Sequence, residues 1–419
     1  MMDQKLKVWL VIVIMFIIGF VGIGCEYDEP CYHSDNNIEE YTWKRIASTI
    51  TSLTEIEVVC KDFNETRYIS LNIYIETQKN EPIYIPLEIN LETNDDWNKL
   101  RNEFSRWIEV YEDGDLIRRY EKTKKLLDID LSQSNLTKIY SAFSDLAGLI
   151  KITIPDNVIS IEYAAFWGCT SLTNIILPKG LISIGVHAFR NTGLKEISLP
   201  ESLEFIDSFA FTGTSIKNIT LPASLTTIGE NNPFSQTSII FTVTNNSTFS
   251  VIDEGKGLVQ DNTILVSYPT ASGTLTIPYG WDITAGTFAG SNLTNVNLPA
   301  NITSIEQDTF FGCNLIYINL PVNLTSIERD AFWGCTNLTN ITFPENLRYI
   351  GPGAFENCTS LTSVTFMGII TSGNFSPGYP GPYGSLLSYT FPGDLRVKYL
   401  AGGPGTYTRS ASSEIWTKQ

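Results

Sequence analysis

The chain is short of histidine and of positive charge. Only two histidines occur, His33 and His187, and 28 Lys and Arg stand against 45 Asp and Glu, for a net charge of −17. This excess of negative charge disfavours nucleic acid and anionic lipid surfaces as partners of the whole protein. General acid–base catalysis needs a cleft with perturbed titratable partners, and the sequence shows none. We therefore predict a protein that is not an enzyme, has no cofactor and binds no nucleic acid.

The seven cysteines do not form a metal-binding pattern either. Four of them occupy one position of a repeat that is described below: Cys169, Cys313, Cys335 and Cys358. Other copies have Leu or Thr at this position, so it is a packing position, and we predict four buried free thiols and no zinc site. Of the other three, Cys25 follows the apolar run near the N-terminus, and export to an oxidising compartment permits Cys31 and Cys60 to pair. The sequence leaves the paired and the free forms of these two open.

One long apolar run is present, from Val8 to Ile23, directly after two lysines. A positive start followed by an apolar middle is the layout of a signal peptide. The run ends in Gly24-Cys25, which resembles a bacterial lipobox, where the cysteine becomes the lipidated first residue; Gly22 stands where such sequences usually have Leu. The alternative is an uncleaved membrane anchor, since the run is nearly long enough to span a bilayer. With either anchor, we expect the residues after 25 to be exported.

A short apolar pattern recurs from about residue 126 to residue 366. Within each half of this stretch its clearest copies begin 22 or 23 residues apart, at Leu149, Leu172, Leu194, Ile216, Leu293, Leu315, Leu338 and Leu361. The copies read L-x-x-I-x-L-P, with polar residues between the apolar ones, as in a short strand with one buried face. The proline lacks an N–H and ends the strand. A fixed period of this length predicts a solenoid in which each repeat forms one coil.

The repeat resembles that of the BspA-like leucine-rich repeat surface lipoproteins. The likeness rests on L-x-x-I-x-L-P, then V-x-x-I, then A-F-x-x-C, as from Leu149 to Cys169, and it covers about 240 of the 419 residues. It implies an α+β fold: a right-handed leucine-rich repeat solenoid with a parallel sheet and turns of 22–23 residues. It also implies an adhesin-like lipoprotein that is exported and anchored at the bacterial cell surface, on the outer membrane.

The repeat and its flanks divide the chain into segments. We assign them as signal peptide 1–24, lipidated tether 25–37, N-terminal α+β cap unit 38–125, solenoid 126–367, and Gly/Pro-rich loop with C-terminal cap 368–419. Between 238 and 276 the period fails, and two β-rich runs flank Asp261-Asn262, which predicts an inserted β-hairpin. In the cap unit, apolar spacing predicts helices over 43–53, 97–111 and 116–125.

Two surfaces are candidates for binding. The first is the outward face of the strands, which is broad and mostly uncharged and from which we single out Asn295, Asn297, Tyr317, Asn319, Asn340 and Thr342. The alternative is an aromatic ladder of Trp167, Phe311 and Trp333. Aromatic stacking between turns accounts for this ladder as well as ligand binding does. We predict as partner an extracellular protein or glycan on another cell, and the rival hypothesis is a structural envelope lipoprotein with no external ligand.

The first prediction concerns the anchor. Because Gly24-Cys25 ends the apolar run, we expect cleavage before Cys25 and acylation of the protein at this residue. The acyl chains then hold the protein to a membrane, at about 0.8 kcal/mol per buried CH₂. Mass spectrometry of the mature N-terminus measures both events. Residues 1–24 still in place, or an unmodified Cys25 on a released protein, would contradict the prediction.

Overall fold

The computed structural model describes residues 43–45, 56–60, 65–69, 83–87, 94–112, 115–122, 125–380 and 386–419. The predicted signal peptide, Cys25, the tether and the side chains of Cys31 and Cys60 lie outside what is described. The chain divides into two compact units, one of residues 1–48 and 52–81, the other of residues 49–51 and 82–419.

The described part of the first unit is an antiparallel meander. Its strands are β1 (Trp43–Arg45), β2 (Ile56–Cys60) and β3 (Glu65–Ile69), with β2 in the middle. The helix predicted over 43–53 is therefore wrong at its start, because Trp43 to Arg45 pair with Cys60 to Val58. Apolar spacing over so short a window fits a strand as well as a helix, and the pairing partner decides.

The second unit begins with a strand, a helix and a hairpin: β4 (Ile83–Pro86), α1 (Asn94–Glu103), β5 (Ser105–Glu112) and β6 (Asp115–Lys122). The helices predicted over 97–111 and 116–125 are corrected here. The first ends at Glu103, and the second is the strand β6, antiparallel to β5 from Ser105↔Lys122 to Glu112↔Asp115. The overlooked signal is Asp113-Gly114, a dipeptide that favours two-residue hairpin turns.

The predicted leucine-rich repeat solenoid, of about 11 turns, is present, so the predicted fold class is confirmed. The L-x-x-I-x-L segments, with β4 before them, form its first parallel ladder, in four hydrogen-bonded groups of strands: β4, β7 (Leu127–Asp130), β9 (Leu149–Thr153), β13 (Asn218–Leu221), β15 (Ile240–Val243), β19 (Ser272–Thr276), β21 (Asn292–Asn297), β23 (Tyr317–Asn319), β25 (Asn340–Phe343) and β27 (Ser363–Phe366). This ladder begins before the predicted boundary at residue 126, because β4 pairs in parallel with β7. The copies at 172 and 194 lie in the same series without regular strand pairing, although Lys195 N–H still donates to Thr173 O at 3.1 Å.

The V-x-x-I segments form a second parallel ladder. Its strands are β8 (Lys138–Ile139), β10 (Ser160–Ile161), β11 (Ser183–Ile184), β12 (Phe205–Ile206), β14 (Thr227–Ile228), β20 (Asp282–Ile283), β22 (Ser304–Ile305), β24 (Ser326–Ile327) and β26 (Tyr349–Ile350). Corresponding residues of successive coils pair directly, as Ile161 does with Ile184 and Ile327 with Ile350. Each coil therefore buries its apolar residues against the same residues of the next coil.

The third side of each coil is the Ala-Phe turn, where the phenylalanines stack. Phe166 and Phe189 lie 5.4 Å apart at 12°, and Phe310 and Phe332 lie 5.2 Å apart at 16°, all fully buried. In most coils the residues two before and two after the Phe have positive φ, as Asp330 (54°) and Gly334 (70°) around Phe332. Gly, Asn and Asp tolerate this conformation best, which explains their recurrence at the second of these positions.

Between β15 and β19 the chain leaves the regular coil, so the interruption is shorter than the predicted 238–276. It forms an antiparallel meander of β16 (Phe249–Ile252), β17 (Gly257–Gln260) and β18 (Ile264–Ser267), and β18 then pairs in parallel with β20. Asp261 and Asn262 connect β17 to β18 with φ of 48° and 64°. Two successive positive φ values are typical of the turn that closes a tight hairpin.

The C-terminal segment continues the first ladder in antiparallel direction. It contains β28 (Gly378–Pro380), β29 (Leu386–Tyr389), α2 (Leu395–Gly402), β30 (Gly405–Thr408) and β31 (Thr417–Lys418). β30 pairs with β27, and the side chains of Leu395, Tyr399, Tyr407 and Trp416 are buried in one core cluster with the last coils. These four side chains cover the last open coil, as the cap predicted for 368–419 requires.

Arg409 ties this segment to the last coil. Its guanidinium is almost fully buried, lies 5.3 Å from the Trp416 ring, and donates to Leu361 O at 2.8 Å, Thr359 O at 3.1 Å and Ser413 O at 2.8 Å. A buried guanidinium requires this kind of compensation, because its five N–H groups are costly to remove from water.

The second prediction concerns the cap. Arg409→Leu leaves these buried carbonyls without their donors, and we expect a loss of about 2–5 kcal/mol in the stability of the last coils. Hydrogen exchange of the β27 and β30 amides reports it, because solenoid coils unfold locally. Arg348→Leu, at an exposed arginine, is the control and should leave this exchange unchanged.

Deletion of 391–419 is the stronger form of the same test. It exposes a full layer of apolar side chains, so we expect aggregation or fraying of the last coils. A truncated protein that stays monomeric with the same melting temperature would show that the segment is only a tail.

Candidate functional site

The outward side chains of six strands in the C-terminal half form one surface, which we call the strand face. It consists of two residues from each of β19, β21, β23, β25, β27 and β30: Thr274, Thr276, Asn295, Asn297, Tyr317, Asn319, Asn340, Thr342, Ser363, Thr365, Thr406 and Thr408. Within each set of paired strands these residues are in register, as in Thr276↔Asn297↔Asn319. β23 and β25, which join the two sets, lie side by side.

The strand face is uncharged and well exposed at its centre. All six residues singled out from the sequence lie on it; Asn297, Tyr317, Asn319, Asn340 and Thr342 are exposed, whereas Asn295 is half-buried. The structure thus brings the first candidate set together on one surface. The N-terminal half of the same ladder differs, since Lys151 and Asp128 form an ion pair there at 3.1 Å.

Side chains of adjacent strands hold each other in place across the strand face. Asn295 Nδ2 donates to Thr274 Oγ1 at 3.2 Å, and Asn297 Nδ2 donates to Thr276 Oγ1 at 3.0 Å. Thr365 Oγ1 lies 2.9 Å from Thr406 Oγ1. Such bonds reduce the number of rotamers that a ligand has to immobilise, and so lower the entropic cost of binding.

The second candidate set does not form one ladder. Phe311 and Trp333 stack at 4.5 Å and 9° and are both half-buried, which agrees with the stacking between turns considered above. Trp167 belongs to the other half of the solenoid, is 37% exposed, and has His187 as its ring neighbour at 6.3 Å. The repeat position is the same, but the inserted meander separates the coils that carry these residues.

His187 is more than a tolerant surface residue. Its ring stacks on Phe209 at 5.1 Å and 19°, and the Arg190 guanidinium lies 5.6 Å above the same Phe209 ring. Burial, and then the positive charge of Arg190, lower the pKa of His187 below its usual range, so the ring is neutral at pH 7. A neutral imidazole in an aromatic stack serves for packing. The one signal in the sequence for this role is that His187 directly precedes the Ala188-Phe189 pair of its repeat.

The same turn positions carry acidic residues in the C-terminal half. The pKa of Asp308 is raised to about 6, chiefly by burial and to a smaller extent by the neighbouring Asp330, against the opposing effects of Gln307, Arg329 and Arg190. Both aspartates have positive φ, at 57° and 54°. Their short polar side chains suit that conformation, which gives a structural reason for them.

The four repeat cysteines are free, buried thiols that donate hydrogen bonds to the preceding coil. In each case Sγ bonds to the carbonyl of the preceding buried Phe: Cys169 to Phe143 at 3.0 Å, Cys313 to Phe288 at 3.0 Å, Cys335 to Phe310 at 3.2 Å and Cys358 to Phe332 at 3.1 Å. In two Thr copies the hydroxyl bonds to the Phe carbonyl of its own coil, Thr192 to Phe189 at 2.9 Å and Thr237 to Phe234 at 2.6 Å, whereas the buried hydroxyl of Thr214 has no partner. The position therefore accommodates small hydrogen-bond donors such as Cys and Thr, although Leu146 occupies it in the first copy.

Metal sites and membrane-spanning helices are two further features that the described residues could contain. Among the residues that the structure describes, no group of three or more His, Cys, Asp and Glu side chains is placed to hold a metal ion. Within these same ranges, no helix has the length and apolar character needed to cross a membrane. On the strand face, by contrast, hydroxyl and amide groups from several coils lie close together.

Parallel ladders, stacked phenylalanines and a 22–23-residue period define a leucine-rich repeat protein. Residues 120–255 and 279–376 match the BspA type leucine rich repeat region family in six copies. The chain therefore belongs to the BspA-type leucine-rich repeat family, as the motifs predict. Solenoids of this family are typically not enzymes.

Solved structures of other bacterial leucine-rich repeat proteins are similar to this chain. A leucine-rich repeat protein from Eubacterium ventriosum is 24% identical, with a TM-score of 0.49 over 68% of this chain and 78% of that one. A leucine rich cell surface protein from Faecalibacterium prausnitzii is 23% identical, with a TM-score of 0.47 over 83% and 97%. The pneumococcal vaccine antigen PcpA is 26% identical, with a TM-score of 0.42 over 62% and 70%. No curated protein matches the chain.

The third prediction concerns the thiols. Burial raises the pKa of Cys313 and of Cys358 to about 12 and that of Cys335 well above its usual range, so none forms the reactive thiolate at pH 8.5. We expect iodoacetamide to leave the four repeat cysteines unlabelled in the folded protein. After unfolding without reductant, peptide mapping should find all four labelled. A repeat cysteine that requires reductant before it can be labelled would refute the free-thiol assignment.

Proposed function

We propose that this protein is exported, is anchored by a lipid on Cys25, and uses the strand face to bind a macromolecule on a host or neighbouring cell. It acts by binding and not by catalysis. The observation that carries the proposal is the uncharged strand face, exposed at its centre, on a protein whose net charge is −17. The absence of charged side chains from this extended surface indicates that it binds its partner through hydrogen bonds.

The dimensions of the strand face support a macromolecular partner. Six strands spaced about 4.8 Å apart extend over about 24 Å, and the whole first ladder of about 11 turns extends over about 50 Å. Solenoids present such extended surfaces because each coil adds one strand to the same side. A small molecule would use only one or two of these coils.

A second surface has a specific observation in its favour. Tyr163 and Trp167 are 59% and 37% exposed, and both contact the ring of His187, at 5.9 and 6.3 Å. Exposed aromatic side chains are frequent at binding hot spots. This surface is the alternative location for a ligand, and the remaining hypothesis, an envelope scaffold without an external ligand, predicts no binding to other cells at all.

The fourth prediction tests the strand face. Simultaneous replacement of Asn295, Asn297, Tyr317, Asn319 and Asn340 by Ala should weaken cell binding by about 100-fold or more, since each hydrogen bond contributes about 0.5–1.5 kcal/mol. The measurement is binding of the detergent-purified protein to intact cells. Circular dichroism and melting should match those of the unchanged protein, because these side chains lie outside the core.

Two further variants make the result specific. Thr226→Ala with Thr303→Ala removes exposed hydroxyls that flank the second ladder, and should leave binding within about twofold. Replacement of Trp167, Phe311 and Trp333 tests the aromatic alternative. The strand face is excluded if its variant binds normally while the aromatic variant does not, and the binding proposal fails if the unchanged protein binds no cell. Because the face is uncharged, we expect little dependence of binding on salt.

A further inference from the structure

We infer that the ligand of the strand face is a neutral polysaccharide, recognised by a repeating pattern of amide and hydroxyl groups with Tyr317 as an aromatic platform. This inference rests on the proposed function and adds to it the chemical class of the partner. Four features of the face carry it, namely the direction of its hydrogen bonds, its composition, its centre and its charge.

The first feature is the direction of the hydrogen bonds within the face. The amide nitrogens of Asn295 and Asn297 donate to Thr274 and Thr276 of the preceding strand. A hydroxyl oxygen that accepts such a bond keeps its own proton for a further acceptor, and the Asn Oδ1 is left as an acceptor. The face therefore offers donors and acceptors in alternation, and a sugar hydroxyl, which both donates and accepts, satisfies both kinds of group.

The second feature is a composition unlike that of a protein–protein interface. The cores of such interfaces are enriched in aromatic residues, Met and Arg, and are depleted in Ser. The strand face has one aromatic residue, Tyr317, no Met and no Arg, and its remaining members are Asn, Thr and Ser. A folded protein partner would have to desolvate these polar groups with little apolar area in return. A polyhydroxylated chain replaces the lost water with hydrogen bonds of the same kind.

The third feature is the apolar contact in the middle of the face. Tyr317 is 49% exposed, and its neighbour Ile316 is 50% exposed. Two strands of the face precede β23 and three follow it, so this platform lies near the centre of the rows of hydroxyls and amides. One side of a sugar ring presents C–H groups, and a tyrosine ring with an apolar body and a polar tip matches that combination. Tyr317 would thus set the position of one sugar while the rows on both sides bind its neighbours.

The fourth feature is charge. The strand face has no charged side chain. The charged residue just beyond the end of β25 is Glu345, which is exposed and acidic. An acidic polysaccharide would meet no cation on the face and would be repelled by the net charge of −17. Sulfated and uronate-rich chains are therefore disfavoured. A neutral chain pays no such cost, and its repeating units match a surface whose polar groups repeat with every coil.

The fifth prediction is binding of the detergent-purified protein to immobilised neutral polysaccharides, with mannan, dextran and xylan as probes. Alginate and heparin serve as acidic comparisons. We expect binding to at least one neutral probe, no binding to the acidic ones, and little change between low and high salt. In a length series of the bound probe, affinity should rise until the oligosaccharide spans the face.

Substitutions of Tyr317, at the centre of the strand face, test where the polysaccharide binds. Tyr317→Ala should weaken binding of the neutral probe about tenfold, whereas Tyr317→Phe, which keeps the ring, should stay within about twofold. Tyr163→Ala removes a tyrosine of similar exposure from the alternative surface in the other half of the solenoid, and tests that surface in the same assay. A result in which Tyr163→Ala weakens binding and Tyr317→Ala does not would overturn the assignment to the strand face.

Treatment of the target cells separates this inference from the proposed function. Periodate, which cleaves sugar diols, should abolish cell binding, and protease treatment of the same cells should leave it intact. Binding that survives periodate and is lost after protease overturns the polysaccharide inference while the proposed function stands. Binding to the acidic probes alone, with strong salt dependence, overturns the neutral class. No cell binding by the unchanged protein overturns both.

Discussion

Contact between identical positions of successive coils is the constraint on which the rest of this structure depends. One coil buries too few apolar side chains to offset the entropy of ordering its backbone, at about 1–2 kcal/mol per residue. Stacking places Phe on Phe, Ile on Ile and strand on strand, so each coil completes the core of its neighbour. Residues whose side chains point away from the core take no part in this contact and are free to vary. On the strand face they are almost entirely Asn, Thr and Ser.

The solenoid could be predicted from the sequence because its determinants are local and repeated. Leu149, Ile152 and Pro155 indicate a strand and its end within one copy, and the next copies repeat them. The strand-face residues followed directly, since alternation along a strand decides which side chains point outward. The position shared by Cys169 and Thr192 was predicted to be a packing position, but its hydrogen bond to a Phe carbonyl required the coordinates of two coils.

Where the prediction failed, no repeat was available to correct it. In 97–122 the spacing of apolar residues fits a helix, and only the pairing of β5 with β6 shows that most of the segment is a hairpin. Trp43 is likewise part of a strand because Cys60 lies opposite it. The role of Arg409 was missed for another reason: its partners Leu361 and Thr359 are about 50 residues away along the chain, and nothing near Arg409 in the sequence indicates them.

On the Ala-Phe side of the coils, backbone N–H groups of one coil donate to carbonyls of the following coil. There most of the buried Phe residues donate their N–H to the following coil, from Phe166 to Ala188 O through Phe332 to Ala354 O, and Phe355 donates to Thr390 O beyond the last coil. Phe234 is the exception, because its N–H donates to Asn232 Oδ1. One end of the stack thus presents donors and the other acceptors. A whole coil could be duplicated or removed inside the stack without disturbing this polarity. The two terminal segments, in contrast, could not be exchanged, because each would bring like groups together at its new position.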